Sequence, residues 1–274
     1  MDLNNKLKGM PHVYYFNLDN RTDRREYMES QFERWGIDYT RVSASKFLAS
    51  EVDTWRHLVD ELHYFPKSGL TNIAVTANSI AHIDFIRNWL ETSNDPYLIL
   101  MEDDYDLNLI EYWHFDWQYL MDNIPYDWDC IQLGFESRSY IKFFLHPKMS
   151  QDTFFGPCMI TRRYAQKLVD LHYKDGKYFF KKKHGLSKIM EALTVCVDYF
   201  MCENGRTYCL PLITTNNDFG SYEENRMRFF AHHALSRDAY YQFWTQKRDF
   251  FTLEEFFTYG KPNDLDMTVI LTYD

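Results

Sequence analysis

The sequence predicts an α/β fold built on a mostly parallel central sheet. Two observations carry that prediction. The first is an opening in which an apolar extended run, an amphipathic helix and a second extended run follow in order. The second is a five-residue apolar run, Tyr97-Leu98-Ile99-Leu100-Met101, that leads straight into Glu102-Asp103-Asp104. A buried central strand reads as a near-continuous apolar run, and here it delivers three carboxylates at its C-terminal end.

The elements follow in order. His12 to Leu18 is a dense aromatic and aliphatic run that ends in Asn17-Leu18-Asp19-Asn20, the pattern of a buried strand and its turn. A helix is expected from near Arg21, with Asn20 as its cap and Asp23 in its first turn. Met28, Phe32 and Trp35 share one face, and Gly36 stops the helix. Asp38 to Ala44 reads as the next strand, residues 51–65 as an amphipathic helix, and Asn72 to Glu91 as a stronger one. Ile80, Ile83, Ile86 and Leu90 line its apolar face. After the acidic triplet, Trp128 to Gly134, Gly156 to Thr161 and Thr207 to Ile213 read as strands. Helices are expected near 162–172, 190–203, 236–248 and 252–258. With no repeat and no Pro/Gly/Ser-rich linker, the chain is expected to form one domain over 1–274.

Composition narrows the function. Thirty basic and forty acidic residues leave a net charge of -10, which repels a phosphate backbone and argues against nucleic-acid binding. The basic run Lys181-Lys182-Lys183-His184 reads as a solvated loop. No stretch approaches the roughly 18 apolar residues of a membrane span. The first residues lack the apolar core of a signal peptide, so a cytoplasmic location is expected. Five cysteines without a Cys-x-x-Cys pair read as buried thiols, not as a disulfide or zinc framework.

In open α/β sheets ligands bind beyond the carboxyl ends of the strands, where the acidic triplet is expected to lie. Side chains alternate along an extended chain, so Glu102 and Asp104 point one way and Asp103 the other. An acid-x-acid pair supplies hard oxygen ligands suited to Mg²⁺ or Mn²⁺, with positions left for substrate phosphates.

Four blocks resemble glycosyltransferase family 25, which includes lipooligosaccharide-type and collagen-type galactosyltransferases. They are the run from Val13 to Arg25, Ala81-His82 with its helix, Leu98 to Asp104, and Thr153 to Ala165 with Leu168 beyond it. Val197-Asp198 and Leu210-Pro211-Leu212-Ile213 fit the family's later acid and Pro-bearing strand. The likeness spans about 12–221; residues 222–274 are a further elaboration, expected to be helical. Ala81 stands where the family has serine, Cys158 where a small residue or tyrosine is usual, and 214–217 lack its glutamine.

The resemblance implies a Rossmann-like nucleotide-sugar transferase fold of the GT-A type, a Mn²⁺ or Mg²⁺ ion and a UDP-sugar donor. It implies transfer of galactose or glucose to a hydroxyl of a glycan or other acceptor, with inversion. Glu102 and Asp104 are then the metal ligands, and Asn17, Leu18, Arg24, His82 and Asp103 the donor contacts. Asp198, an acid interrupting an apolar run, is the expected general base, with Asp152 and Glu191 behind it. His232-His233 are candidates for a further metal ligand, and Asp218, Ser221 and Tyr222 for the acceptor side. Two rival readings remain. One is a catalytically degenerate carbohydrate- or nucleotide-binding module on the same scaffold, the other a metal-dependent phosphatase or nucleotide hydrolase.

Overall fold

The computed structural model describes residues 6–60, 73–153, 156–180, 196–216, 227–258 and 267–272. Its centre is a seven-stranded sheet. In chain order the strands are β1 (Val13–Asn17), β2 (Tyr39–Ser43), β3 (Tyr97–Met101), β4 (Cys130–Gln132), β5 (His146–Pro147), β6 (Cys158–Thr161) and β7 (Thr207–Cys209). They lie in the spatial order β2-β1-β3-β6-β4-β7-β5. β1 pairs in parallel with β2 and β3, and β7 in parallel with β4. β6 runs antiparallel between β3 and β4, and β5 is an antiparallel edge. The sheet is therefore mostly parallel, as expected, but the reversed strand at its centre was not anticipated. Period-2 apolar patterns carry no strand direction, so the sequence holds no signal for it.

Helices cover both faces. α1 (Thr22–Trp35) buries Met28 and Phe32, each contributing about 1.5–3 kcal/mol of apolar burial. It ends at Gly36, whose φ of 62° is the left-handed C-cap that glycine adopts freely. Its N-cap is Arg21 and not Asn20, because the Arg21 amide closes a turn onto the Leu18 carbonyl and shifts the helix start by one residue. The expected helix over 51–65 is shorter than predicted: one α turn at Val52–Trp55, then a 3₁₀ turn at Arg56–Leu58. Residues 61–65 lie outside the described residues. α2 (Ile73–Thr92), α3 (Arg162–His172) and α4 (Val197–Glu203) pack on the sheet face opposite α1. α5 (Met227–Gln242) continues through a π turn at Phe243–Lys247 and lies on the α1 side.

The alternation in β3 divides the core. Leu98 and Leu100 join the cluster beneath α2, while Ile99 and Met101 join the one beneath α1. Continued beyond the strand, the same alternation sets the direction of the acids. All five cysteines are buried and free, as expected. Among the described residues no helix is long and apolar enough to cross a membrane.

Candidate active site

The segments beyond the carboxyl ends of β3, β4 and β7 meet at a cavity of about 210 Å³. Its floor is main chain. A Cβ on Gly156 would lie 1.5 Å from the Gly134 carbonyl oxygen, and one on Gly134 would lie 2.2 Å from that of Ile213. Only glycine permits such backbone approach at both positions.

One wall comes from β3. Glu102 and Asp104 both line the cavity, and Glu102 accepts a hydrogen bond from Asn78 Nδ2 of α2 at 3.0 Å. Asp103 turns to the α1 side, as the alternation predicts. There it accepts from Asn17 Nδ2 at 2.7 Å and from Arg24 Nη1 at 2.6 Å. Arg24 also reaches Asp104 at 3.2 Å, so one guanidinium braces two neighbouring acids. The Arg24–Asp103 pair is nearly closed to solvent, with side chains 13% and 10% exposed. Withdrawal from solvent pushes the Asp104 carboxyl up to about 6; Arg24 opposes this, and the charges of Asp103 and Glu136 add to it.

The opposite wall comes from the segment after β4. Glu136 is 3% exposed and accepts from Thr215 Oγ1 at 3.0 Å and His233 Nδ1 at 2.5 Å. Thr214–Thr215 forms a two-residue antiparallel ladder with Tyr105–Asp106, and the Asn216 amide donates to the Asp104 carbonyl at 2.6 Å. α5 presents His233, Arg237 and Tyr241 at i, i+4 and i+8. His233 holds Glu136, while Tyr241 donates to Asp106 at 2.6 Å and Arg237 faces the same carboxylate at 3.7 Å. The C-terminal elaboration thus helps build the cavity.

The expected site residues are placed as follows. Glu102 and Asp104 reach the cavity, and Asn17, Arg24 and Asp103 form a buried network directly behind them. Leu18 is half-buried in the turn beyond β1 and does not line the cavity. His82 does not reach it either. It is fully buried, stacks on Phe16 at 3.9 Å and donates from Nδ1 to the Asn78 carbonyl, 2.9 Å away. Because that acceptor is a carbonyl, Nδ1 carries the proton, and burial lowers the imidazole pKa to about 4. It therefore supports the backbone of the helix that presents Asn78. Asp198 lies in the first turn of α4, next to Cys196 and Val197 of the cavity lining; its side chain lies outside the described residues. So do Glu191, Asp218, Ser221, Tyr222, the run 181–184 and the side chain of His232. Asp152 is not at the cavity: it is buried beside His146 at the far edge of the sheet.

Glu136, Thr215, Arg237 and Tyr241 were not singled out as a site, whereas His233, a candidate metal ligand, lines the cavity. The signal that could have found Glu136 is local: Leu133-Gly134-Phe135-Glu136 is, like the triplet at β3, an apolar strand running into an acid.

No family model matches the chain, and no curated protein does, so the likeness to family 25 rests on the sequence blocks alone. Solved structures are similar to the chain only at low TM-score and identity. The chain is similar to A197 from STIV (12% identity, TM-score 0.38, 75% of this chain and 84% of that one). It is likewise similar to a glycosyltransferase involved in glycosylation of the major capsid of PBCV-1 (7%, TM-score 0.38, 80% and 97%). A third is HddC from Yersinia pseudotuberculosis complexed with GMP-PN (12%, TM-score 0.33, 75% and 93%). At these scores the likeness assigns no role to any residue, and the reading of the site rests on its own geometry.

Proposed function

We propose that this protein is a metal-dependent glycosyltransferase that moves a hexose, galactose or glucose, from a UDP-sugar to a hydroxyl acceptor with inversion. The observation that carries the reading is the division of labour within one triplet. Glu102 and Asp104 face the cavity at the end of a central strand, while Asp103 is turned away and held by Asn17 and Arg24.

The residues present fit a hard divalent ion. Glu102 and Asp104, both half-buried, offer carboxylate oxygens, with the remaining positions left to water and substrate phosphates, and the buried Glu136 lines the same cavity. Glu102 and Asp104 would hold Mn²⁺ or Mg²⁺, which when bound neutralises charge on a departing diphosphate. Arg24 keeps Asp104 in place, Asn78 orients Glu102, and Asp198 at the start of α4 is the base proposed for the acceptor hydroxyl. Asn17, Leu18, His82 and Asp103 then act from behind the cavity, shaping the donor side.

A second reading has its own observation. Asp104 is paired with Arg24 and Glu136 with His233, so two of the three acids already meet cations of this chain. A binding module on the same scaffold needs no metal. A panel of nucleotides and nucleotide sugars, each with Mn²⁺ and with EDTA, separates the two by thermal shift and product formation. A ligand that binds only the folded state at about 100 times its Kd stabilises it by roughly 2.7 kcal/mol. Stabilisation by one UDP-sugar that is lost in EDTA, with transfer to acceptor, supports the enzyme. Stabilisation indifferent to EDTA and without turnover supports the binding module. Sugar released at one rate with and without acceptor supports a hydrolase.

A further inference from the structure

At the far edge of the sheet, His146 on β5 and Cys209 on β7 are directly paired across the antiparallel ladder. Asp152 returns to them from the following turn, closed by its own amide on the Met149 carbonyl at 3.1 Å. The ligand atoms His146 Nε2, Asp152 Oδ and Cys209 Sγ lie within 4.8 Å of one another, and all three residues are buried. No other such group occurs among the described residues, the acids of the cavity included.

The hydrogen bonds decide which atoms face each other. His146 Nδ1 lies 2.7 Å from the Phe144 carbonyl, which can only accept, so Nδ1 bears the proton. In the neutral ring, Nε2 then carries a lone pair. Nε2 lies 3.3 Å from Asp152 Oδ2, yet it makes no hydrogen bond, although His146 is only 2% exposed. Asp152 Oδ2 meanwhile accepts the Met149 amide at 2.7 Å. An imidazole lone pair and a carboxylate that face each other in a dry interior repel unless a proton on Nε2 or a metal cation lies between them. The Cys209 thiol beside them supplies the third ligand, which a proton does not need. A carbonyl-oriented histidine with a free Nε2 is also the usual preparation of a metal-ligating ring.

We propose that His146, Asp152 and Cys209 form a structural zinc site, separate from the cavity and independent of the activity assigned to it. Neutral imidazole, carboxylate and thiolate sum to -2, the charge that a divalent ion offsets, while the Lys148 ammonium on the Asp152 carbonyl adds a positive charge at the rim of the cluster. The mixed N, O and S set favours Zn²⁺ over the hard ions suited to Glu102 and Asp104. On binding, the Cys209 thiol loses its proton to solvent as the Zn–S bond forms, with no redox change. Gln132 Oε1, 3.5 Å from Cys209 Sγ, is the neutral oxygen nearest that thiol. The site has a structural reach: Thr153, the residue after Asp152, exchanges both backbone hydrogen bonds with Glu136 at 2.9 and 3.0 Å. Zinc at the sheet edge would pin the segment on which that cavity wall rests.

Co²⁺ is the probe. The full chain, stripped with a chelator and then titrated, is expected to develop a sulfur-to-cobalt charge-transfer band and the visible bands of tetrahedral cobalt that saturate at one equivalent, whatever further Co²⁺ the cavity takes. Zn²⁺ should displace it and raise Tm. Cys209→Ser, checked for folding by circular dichroism, should lose the charge-transfer band. Asp152→Asn should weaken Co²⁺ binding by on the order of tenfold or more. Asp104→Asn should leave the spectrum unchanged, which separates this site from the cavity. Wild-type protein that is folded but shows no sulfur-to-cobalt charge-transfer band overturns the proposal without any variant. A charge-transfer band that persists in folded Cys209→Ser overturns it too, since the thiolate would then belong to another cysteine.

Discussion

The two walls of the cavity solve the same problem differently. Each brings a carboxylate to the end of a parallel strand, where like charges and low solvent access oppose ionisation. On the β3 wall the compensation comes from within the first quarter of the fold: Asn17 and Arg24 hold Asp103, and Arg24 extends to Asp104. On the β4 wall it comes from remote segments: Glu136 takes Thr215 and His233 as partners. The first arrangement leaves Asp104 28% exposed at its side chain, open to a ligand. The second saturates one oxygen of an acid that is itself buried. The difference teaches that the β3 wall keeps an acid accessible while the β4 wall holds its acid in place, which under the proposed function makes the first the seat of the chemistry.

The largest expected effect breaks that distinction directly. Asp104→Asn should lower metal-dependent transfer by on the order of 100-fold or more, about 2.7 kcal/mol in the barrier, with circular dichroism unchanged. Glu136→Gln, which keeps an acceptor for Thr215, should stay within about tenfold of wild type in the same assay. If folded Glu136→Gln is as inactive as Asp104→Asn, the walls are chemically equivalent and Glu136 becomes the stronger candidate for base. Undiminished turnover in Asp104→Asn would count against the assigned metal site itself.

Stability sharpens the contrast further. Arg24→Ala leaves Asp103 buried without its cation, and chemical denaturation should show a loss of about 3–5 kcal/mol. His82 sets a pH window next. Its folded pKa near 4 lies below the ordinary 6.5, so between those values the unfolded chain binds more protons. Its contribution is complete above pH 6.5 and is lost as pH falls towards 4, up to about 3 kcal/mol. Replacing His82 with Gln should flatten that part of the stability–pH curve; an unchanged slope would mean the ring is not kept neutral by burial. His233→Ala should have the smallest effect, about 1 kcal/mol or less, because that side chain is 25% exposed and its partner keeps Thr215.

The same division governs what could be read in advance. β1, α1, α2, β3 and the direction of each acid in the triplet follow from short-range periodicity and were legible. Glu136 was not singled out, because its partners lie 79 and 97 residues away in sequence and no local pattern links them. The insertion of β6 between β3 and β4 was hidden for the same reason. His82 misled in the opposite direction: its position one turn from Asn78 is right for a pocket residue, but the Phe16 ring covers it. Asp152 shows how an isolated acid can be read as a base when its partner, His146, is in fact at the other edge of the sheet from β1.

The face of α5 has a consequence for the birth of the protein. Tyr241 meets Asp106 across 135 residues, and His233 meets Glu136 across 97. A chain emerging from the ribosome has its acidic triplet and both glycines long before it has the helix that closes over them. Closing such wide loops is entropically slow, so the cavity should be the last compartment to mature. A nascent or truncated chain would carry these carboxylates uncovered, as a soft and unfinished edge, until α5 clears the exit tunnel.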